Sequence, residues 1–195
     1  MRNVNGLGDC PHFAPEVHME FTADWFSRHT PVWSRLLGPL TGQPLQALEV
    51  GSYEGRSAVW LLQNILTHSE SQLTCVDMWD SAEVQRRFRS NIAETGRGEQ
   101  VIECVGESQV ALRSVQGTFD LIYIDGSHEA RDILVDAALC WSLLKPGGLL
   151  LFDDYGWDGP VEFPPRHAID VFLQLWMTQI EVWHKGYQVI VRRRM

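Results

Sequence analysis

The chain has 195 residues, 45% of them hydrophobic and 21% charged, with a formal net charge of −9. That length predicts one domain able to bury a sizeable core. The excess of acid argues against a nucleic-acid surface, which needs clustered lysine and arginine; Arg192, Arg193 and Arg194 read as a solvated tail.

No apolar run approaches the roughly 18 residues of a membrane span. The opening MRNVNGLGDC lacks the apolar centre of a secretory signal. Cys10, Cys75, Cys104 and Cys140 form no CxxC pair, so a reduced, cytoplasmic setting is expected.

In chain order, residues 1–18 read as a loose arm, placed to act as a lid or a homo-oligomer contact. A short helix is expected over Thr22 to His29. Thr30-Pro31 reads as an N-cap and first-turn proline, opening a second helix to about Leu37 that Gly38 to Pro44 breaks. The segments 45–50, 73–77, 100–105, 119–125 and 148–154 read as strands. The segments 55–67, 81–95 and 108–115 read as helices. A further helix capped by Ser127 carries Ile133, Leu134, Ala137, Ala138 and Trp141 at helical spacing and stops at Lys145-Pro146-Gly147-Gly148. Such alternation predicts an α/β, doubly wound, mostly parallel sheet with helices on both faces. A helix over about 166–179 and two runs, 180–184 and 187–192, joined by Lys185-Gly186, add a C-terminal antiparallel hairpin and bring the sheet to seven strands. The single domain divides into an arm with helices (1–44), a ligand-binding core (45–154), a loop rich in glycine and proline (155–167), and the closing helix and hairpin (168–195).

The turn EVGSYEGRS (49–57) follows the first strand, at the sheet edge where open α/β folds bind ligands. Gly51 and Gly55 permit a tight turn, and the free N–H groups of the next helix favour a negative group. The spacing is G-x-x-x-G, not the dinucleotide fingerprint. Glu49 could receive a ligand ammonium, and Asp77, ending the second strand, a ribose diol. A nucleoside joined to an amino acid fits this set, which points to S-adenosylmethionine.

EVGSYEGRS, VDMW (76–79) and GESQ (106–109) resemble the cofactor motifs of class I methyltransferases, in particular those similar to catechol O-methyltransferase. The resemblance covers about residues 45–155. It implies a Rossmann-like methyltransferase fold. It also implies that Glu49, Gly51, Tyr53 and Ser57, with Ser52 and Gly55 of the same turn, line the methionine end. Asp77 and Met78 would hold the ribose and border the adenine, with Trp79 as a neighbour. Gly106, Ser108 and Gln109, with Glu107 between them, would contact the adenine.

The stretch LLLFDDYGWDG (149–159) ends a buried strand in two carboxylates, Asp153 and Asp154. Asp125 ends the neighbouring strand. Three converging carboxylates are costly unless a cation offsets them, and a hard divalent ion such as Mg²⁺ suits oxygen donors. Metal-dependent members of the resembled family hold Mg²⁺ with matching residues, so Asp125 is assigned to both cofactor and metal, and Asp153 and Asp154 to the metal. His128, expected in the first helical turn with a near-neutral pKa, is the candidate general base. Catechol-type enzymes carry lysine there. The D-x-x-H pattern of Asp125 to His128 resembles that of O-methyltransferases acting on macrolide sugars.

The expected function is metal-dependent O-methyl transfer to a small hydroxylated acceptor, a sugar, polyphenol or other metabolite. Tyr155, Trp157 and His167 are candidate acceptor contacts. The alternatives are a non-catalytic cofactor-binding module, a relative of the hydroxylases of cephamycin biosynthesis, and an NAD-dependent oxidoreductase, against which the missing fingerprint counts.

Overall fold

The computed structural model describes residues 18–195. The arm expected over 1–18, and the oligomer contact assigned to it, lie outside the described residues except for His18. The elements in order are α1 (Thr30–Leu37), β1 (Gln46–Val50), α2 (Arg56–Asn64), β2 (Gln72–Asp77), α3 (Ala82–Glu94), β3 (Val101–Val105), α4 (Ser108–Ala111), β4 (Phe119–Ile124), α5 (Ala130–Leu143), β5 (Leu144–Phe152), α6 (Pro165–Leu175), β6 (Ile180–Lys185) and β7 (Val189–Arg193).

The sheet runs β3-β2-β1-β4-β5-β7-β6. The first five strands are parallel, and β7 is antiparallel to both β5 and β6. Chain order reverses between β1 and β4, the place where such sheets open a crevice at their C-terminal edge.

Side-chain alternation divides the core. Ala47, Leu121, Tyr123, Leu149 and Leu151 face a layer built from α1, α2 and α3, with Trp33, Leu37, Leu61 and Phe88 buried in it. Leu48, Val50, Ile122, Ile124, Leu150 and Phe152 face the opposite layer, with Ile133, Cys140, Ile169 and Phe172. Because the side-chain period in a strand is two, Tyr123 sits on the same face as Asp125, and Leu151 on the same face as Asp153.

Several local expectations are corrected. Only a 3-10 turn, Ser27–His29, forms where a helix over 22–29 was expected. Thr30 opens α1 as a helical residue, its hydroxyl donating back to the Ser27 carbonyl at 2.9 Å, so it is not a cap. The helices α2, α4 and α6 are shorter than the patterns suggested. Lys145 to Gly148 is absorbed into β5, whose early residues pair with β4 across a register shift. The β6–β7 link has three residues, Gly186 to Gln188, rather than two. Among the described residues no helix is long and apolar enough to cross a membrane.

Candidate active site

Backbone bonds continue the sheet ladder past the strand ends. Gly51 N–H donates to the Val76 carbonyl (2.8 Å), Asp125 N–H to Val50 (2.8 Å), Asp153 N–H to Ile124 (3.0 Å) and Gly106 N–H to Asp77 (2.9 Å). These bonds line up the ends of β1 to β5 at one edge of the sheet, where the acidic residues lie. Gly51 is left-handed (φ 88°) and so close to β4 that a Cβ would lie 2.2 Å from the Asp125 carbonyl oxygen. The glycine therefore serves chain-to-chain approach here. Gly55 (φ 83°) opens α2, with a would-be Cβ 2.9 Å from the Phe88 ring.

A cavity of about 460 Å³ opens at this edge. It is lined by the strand-end residues Gly51, Tyr53, Asp77, Asp125 and Gly126 together with Trp25, Arg28, His128, Asp153, Asp154, Trp157 and Tyr187. A second cavity of about 240 Å³ shares Gly51, Asp77 and Gly126 and adds Val50, Val76, Met78, Asp80, Gly106 and Ser108. Sizes in this range suit small ligands. A small cleft against the glycine turn is lined by Ser52, Glu54, Ser57 and the N-terminal segment.

The predicted cofactor residues separate into three groups. Gly51, Tyr53, Asp77, Met78, Gly106, Ser108 and Asp125 line the two larger cavities. Asp77 accepts N–H bonds from Tyr53 and Trp79, each at 2.8 Å, so it also ties the glycine turn to β2. Glu49, Ser52, Ser57 and Gly55 form the layer beneath. Glu49 is fully buried, and the Ser52 and Ser57 hydroxyls donate to it at 2.7 and 2.5 Å. Burial pushes its carboxyl up to about 7. Its oxygens thus serve serines rather than facing the main cavity.

Trp79, Glu107 and Gln109 line neither of the larger cavities. Trp79 is turned into the core, packs on Phe88 at 4.7 Å, and donates Nε1–H to the Tyr53 carbonyl at 2.8 Å. Its apolar bulk outweighs its nearness to Asp77, which corrects its placement at the adenine. Glu107 takes the N-cap position of α4 without a side-chain cap bond. Gln109 donates to Asp132 at 3.2 Å, while Ser108 donates to the buried Asp136 at 2.8 Å, so α5 holds this loop.

The acidic group of Asp125, Asp153 and Asp154 is held by partners that the sequence motifs do not mark. The Tyr123 hydroxyl sits between Asp125 Oδ2, at 2.9 Å, and Asp153 Oδ2, which it meets in a short contact. One hydroxyl carries one proton and can donate to only one carboxylate at a time. Burial, Asp153 and Asp154 together hold the Asp125 carboxyl well above the usual range. Gln188 donates Nε2–H to Asp153 Oδ2 at 3.1 Å and receives the Trp33 indole N–H at 2.8 Å. His29 Nε2 lies 3.8 Å from Asp153 Oδ1. Asp154, left-handed at φ 57°, accepts from Tyr187 at 3.0 Å and pairs with His128 Nε2 at 3.0 Å.

His128 precedes α5 rather than lying in its first turn. Ser127 accepts from Glu129 N–H at 3.1 Å, and the helix starts at Ala130. In place of the near-neutral value expected, the Asp154 hydrogen bond raises its pKa above the usual histidine range. The Trp157 ring covers the imidazole at 4.5 Å. Of the loop candidates only Trp157 lines the cavity. Tyr155 donates to Asp170 at 3.1 Å, and His167 packs on Phe163.

Among the described residues no group of three or more His, Cys, Asp or Glu side chains converges as a ready coordination sphere. Asp154 is turned onto His128 and Tyr187, and Asp153 onto Tyr123 and Gln188. The donors that Asp125, Asp153 and Asp154 offer are all carboxylate oxygens, the type a hard cation takes.

A family model described as a methyltransferase domain matches residues 48–155. The chain belongs to the methyltransferase-domain family. Its match spans the cofactor turn, Asp77, Asp125, His128 and both acids after β5. Among curated relatives, the chain is similar to the O-methyltransferase hkm8 of Aspergillus hancockii, with 27% identity over 115 residues, 59% of this chain and 44% of that protein. The chain spans about half the length of the curated relatives it matches, 60% of one and 44% of hkm8. Its fold is similar to that of TomG, an O-methyltransferase of Streptomyces achromogenes involved in tomaymycin synthesis, solved with SAM. Identity to TomG is 17% and the TM-score 0.66, covering 84% of this chain and 80% of that one. It is also similar to the methyltransferase MycE of mycinamycin biosynthesis, solved with Mg, SAH and mycinamycin VI. There identity is 18% and the TM-score 0.61, covering 88% of this chain and 50% of that one. At these identities the likeness to solved structures shows the fold.

Proposed function

We propose that this methyltransferase-family chain transfers the methyl group of S-adenosylmethionine to a hydroxyl of a small acceptor. The observation that carries the reading is that one cavity is lined both by Asp77 with the glycine turn and by His128 with Asp153 and Asp154. A cofactor on the first side presents its sulfonium methyl toward the second. Holding oxygen, methyl and sulfur in line supplies much of the rate in such a displacement. The acceptor O–H breaks as the new C–O bond forms, and the S–CH₃ bond breaks as the sulfur takes back its electron pair.

The chain must receive the acceptor proton. With Nε2–H held by Asp154, Nδ1 is the ring nitrogen of His128 left to accept it. Asp154 then stabilises the imidazolium that forms. The same pairing raises the imidazole pKa, so the working form of His128 is reached on the alkaline side of its usual range.

The proposal includes a hard divalent cation, Mg²⁺ being the ordinary choice, held by Asp125, Asp153 and Asp154. Such an ion would supply positive charge that lowers the pKa of an acceptor hydroxyl. Support comes from the oxygen-only donor set, from the upward shift of Asp125, and from the Mg in the MycE complex. Loading would turn Asp154 from His128 and Tyr187, so the Asp154–imidazole pairing belongs to the ion-free arrangement and the two roles of Asp154 are alternatives that the chelator arm separates.

The family match favours methyl transfer over the dinucleotide-oxidoreductase alternative. The test is transfer of labelled methyl from S-adenosylmethionine to polyhydroxylated acceptors, with and without chelator. Asp154→Ala should abolish turnover while leaving S-adenosylhomocysteine affinity within about threefold, an order-of-magnitude expectation for a group on the acceptor side. Full turnover in that variant overturns the acceptor-side assignment, and full turnover in chelator overturns the metal. Cofactor binding with no transfer to any acceptor would favour the non-catalytic or hydroxylase-like alternatives.

A further inference from the structure

We propose that Arg28 anchors an anionic group on the acceptor, and that the acceptor is a hydroxylated aromatic acid. The inference rests on the methyl-transfer reading of the cavity and goes further by naming the substrate class. Arg28 lies on the 3-10 turn Ser27–His29, and its guanidinium carbon stands 3.7 Å from the centre of the Tyr187 ring. It is the only lysine or arginine among the twelve lining residues. No carboxylate among the described residues pairs with it. Its Nε donates to His29 Nε2 at 3.1 Å, which orients the fork. A guanidinium stacked on a ring keeps its plane fixed and its edge donors available, the arrangement that recognises a carboxylate in bidentate fashion.

The acids nearby do not use that charge. Asp154 is paired with His128 and bonded to Tyr187, Asp153 is bonded to Tyr123 and Gln188, and Asp77 accepts two backbone N–H groups. The Tyr187 ring joins the two ends of the arrangement: its hydroxyl meets Asp154 at 3.0 Å while its face carries Arg28. A flat acceptor with its hydroxyl beside His128 and Asp154 would therefore direct a substituent on its far side toward Arg28. The walls suit a ring. Trp25, Tyr53, Trp157 and Tyr187 line the same cavity, and Trp25 and Tyr53 stand 5.4 Å apart at its mouth.

The test uses protein loaded with S-adenosylhomocysteine and titrated calorimetrically with 3,4-dihydroxybenzoate, catechol and dopamine, which share a ring and differ in charge. The dihydroxybenzoate should bind at least about tenfold tighter than catechol, as a charge-assisted pair would give. Arg28→Gln should remove that preference, and Arg28→Lys should restore part of it. Equal affinity for the acid and catechol, a preference for dopamine, no binding of any of the three, or an unchanged preference in Arg28→Gln would each overturn the anchor. A parallel methyl-transfer assay with the same acceptors separates the two ideas. Binding that follows the charge without transfer to any acceptor counts against the methyl-transfer reading alone. Transfer without charge preference counts against Arg28 alone.

Discussion

The two sides of the cavity are built in opposite ways. The cofactor side comes from consecutive residues after β1, β2 and β3, locked by backbone bonds such as Gly51 to Val76 and Gly106 to Asp77. The side proposed for the acceptor is assembled from five separate places: the N-terminal segment, the turn before α5, the end of β5, the loop after it, and the link between β6 and β7. The first side is rigid because neighbouring strands fix it. The second depends on side chains that meet across the sequence, such as Trp33 with Gln188, 155 residues apart. A local turn tolerates little change in its backbone, whereas a convergent set of side chains can lose one member and keep its fold.

The sharpest way to break this contrast is Gly51→Ala. The added methyl would meet the Asp125 backbone at 2.2 Å in a left-handed conformation, and a loss of roughly 4 kcal/mol or more is expected from combined strain and overlap. Denaturant melts and S-adenosylhomocysteine titration would read it, and a wild-type melting curve would show that the turn is not the rigid half. His128→Ala should leave the melt almost unchanged, since the side chain is half-exposed, but slow methyl transfer by about 10² to 10⁴, the usual range for a general base. A drop below threefold would remove His128 from the chemistry.

The floor beneath Ser108 gives a pH test. Burial raises the Asp136 carboxyl to about 6 from 3.8, and its Oδ1 is buried without a partner. The folded value lies above the unfolded one, so this group's contribution is complete below pH 3.8 and is lost as pH rises through about 6. The stability difference between wild type and Asp136→Asn should shift by about 1 to 3 kcal/mol in favour of the variant between pH 4 and pH 7. A difference independent of pH would contradict it. Trp33→Phe is the gentlest probe. It strips the Gln188 oxygen of its donor, with an expected cost of about 1 to 2 kcal/mol in denaturant melts. No measurable loss would mean that the long-range network contributes little to the acceptor side.

The same contrast explains what could be read from the sequence. The strands and the mostly parallel class of the sheet were legible because apolar runs such as DLIYI and GLLLF are bounded by turn residues, as buried parallel strands are. Asp77, Asp125, Asp153 and Asp154 were legible because each ends a strand. Tyr123 could have been found by the same logic, since it is two residues before Asp125 and so shares its face. Gln188, His29 and Arg28 could not, because their roles depend on β7 and the N-terminal segment docking beside β5. Trp79 misled because proximity to Asp77 in sequence says nothing about which way an indole turns. His128 reaches the cavity from the turn before α5 rather than from the helix, and its charge state depends on the Asp154 rotamer, a tertiary contact.

The account turns on one cavity holding cofactor on the Asp77 side and acceptor on the Asp154 side. Titration of S-adenosylhomocysteine into Asp77→Ala and Asp154→Ala compares the sides directly. Asp77→Ala should weaken binding by about thirtyfold or more, the cost of losing a half-buried charge-assisted hydrogen-bond acceptor, while Asp154→Ala should stay near wild type. Equal losses in the two variants, or a larger loss in Asp154→Ala, would contradict the division.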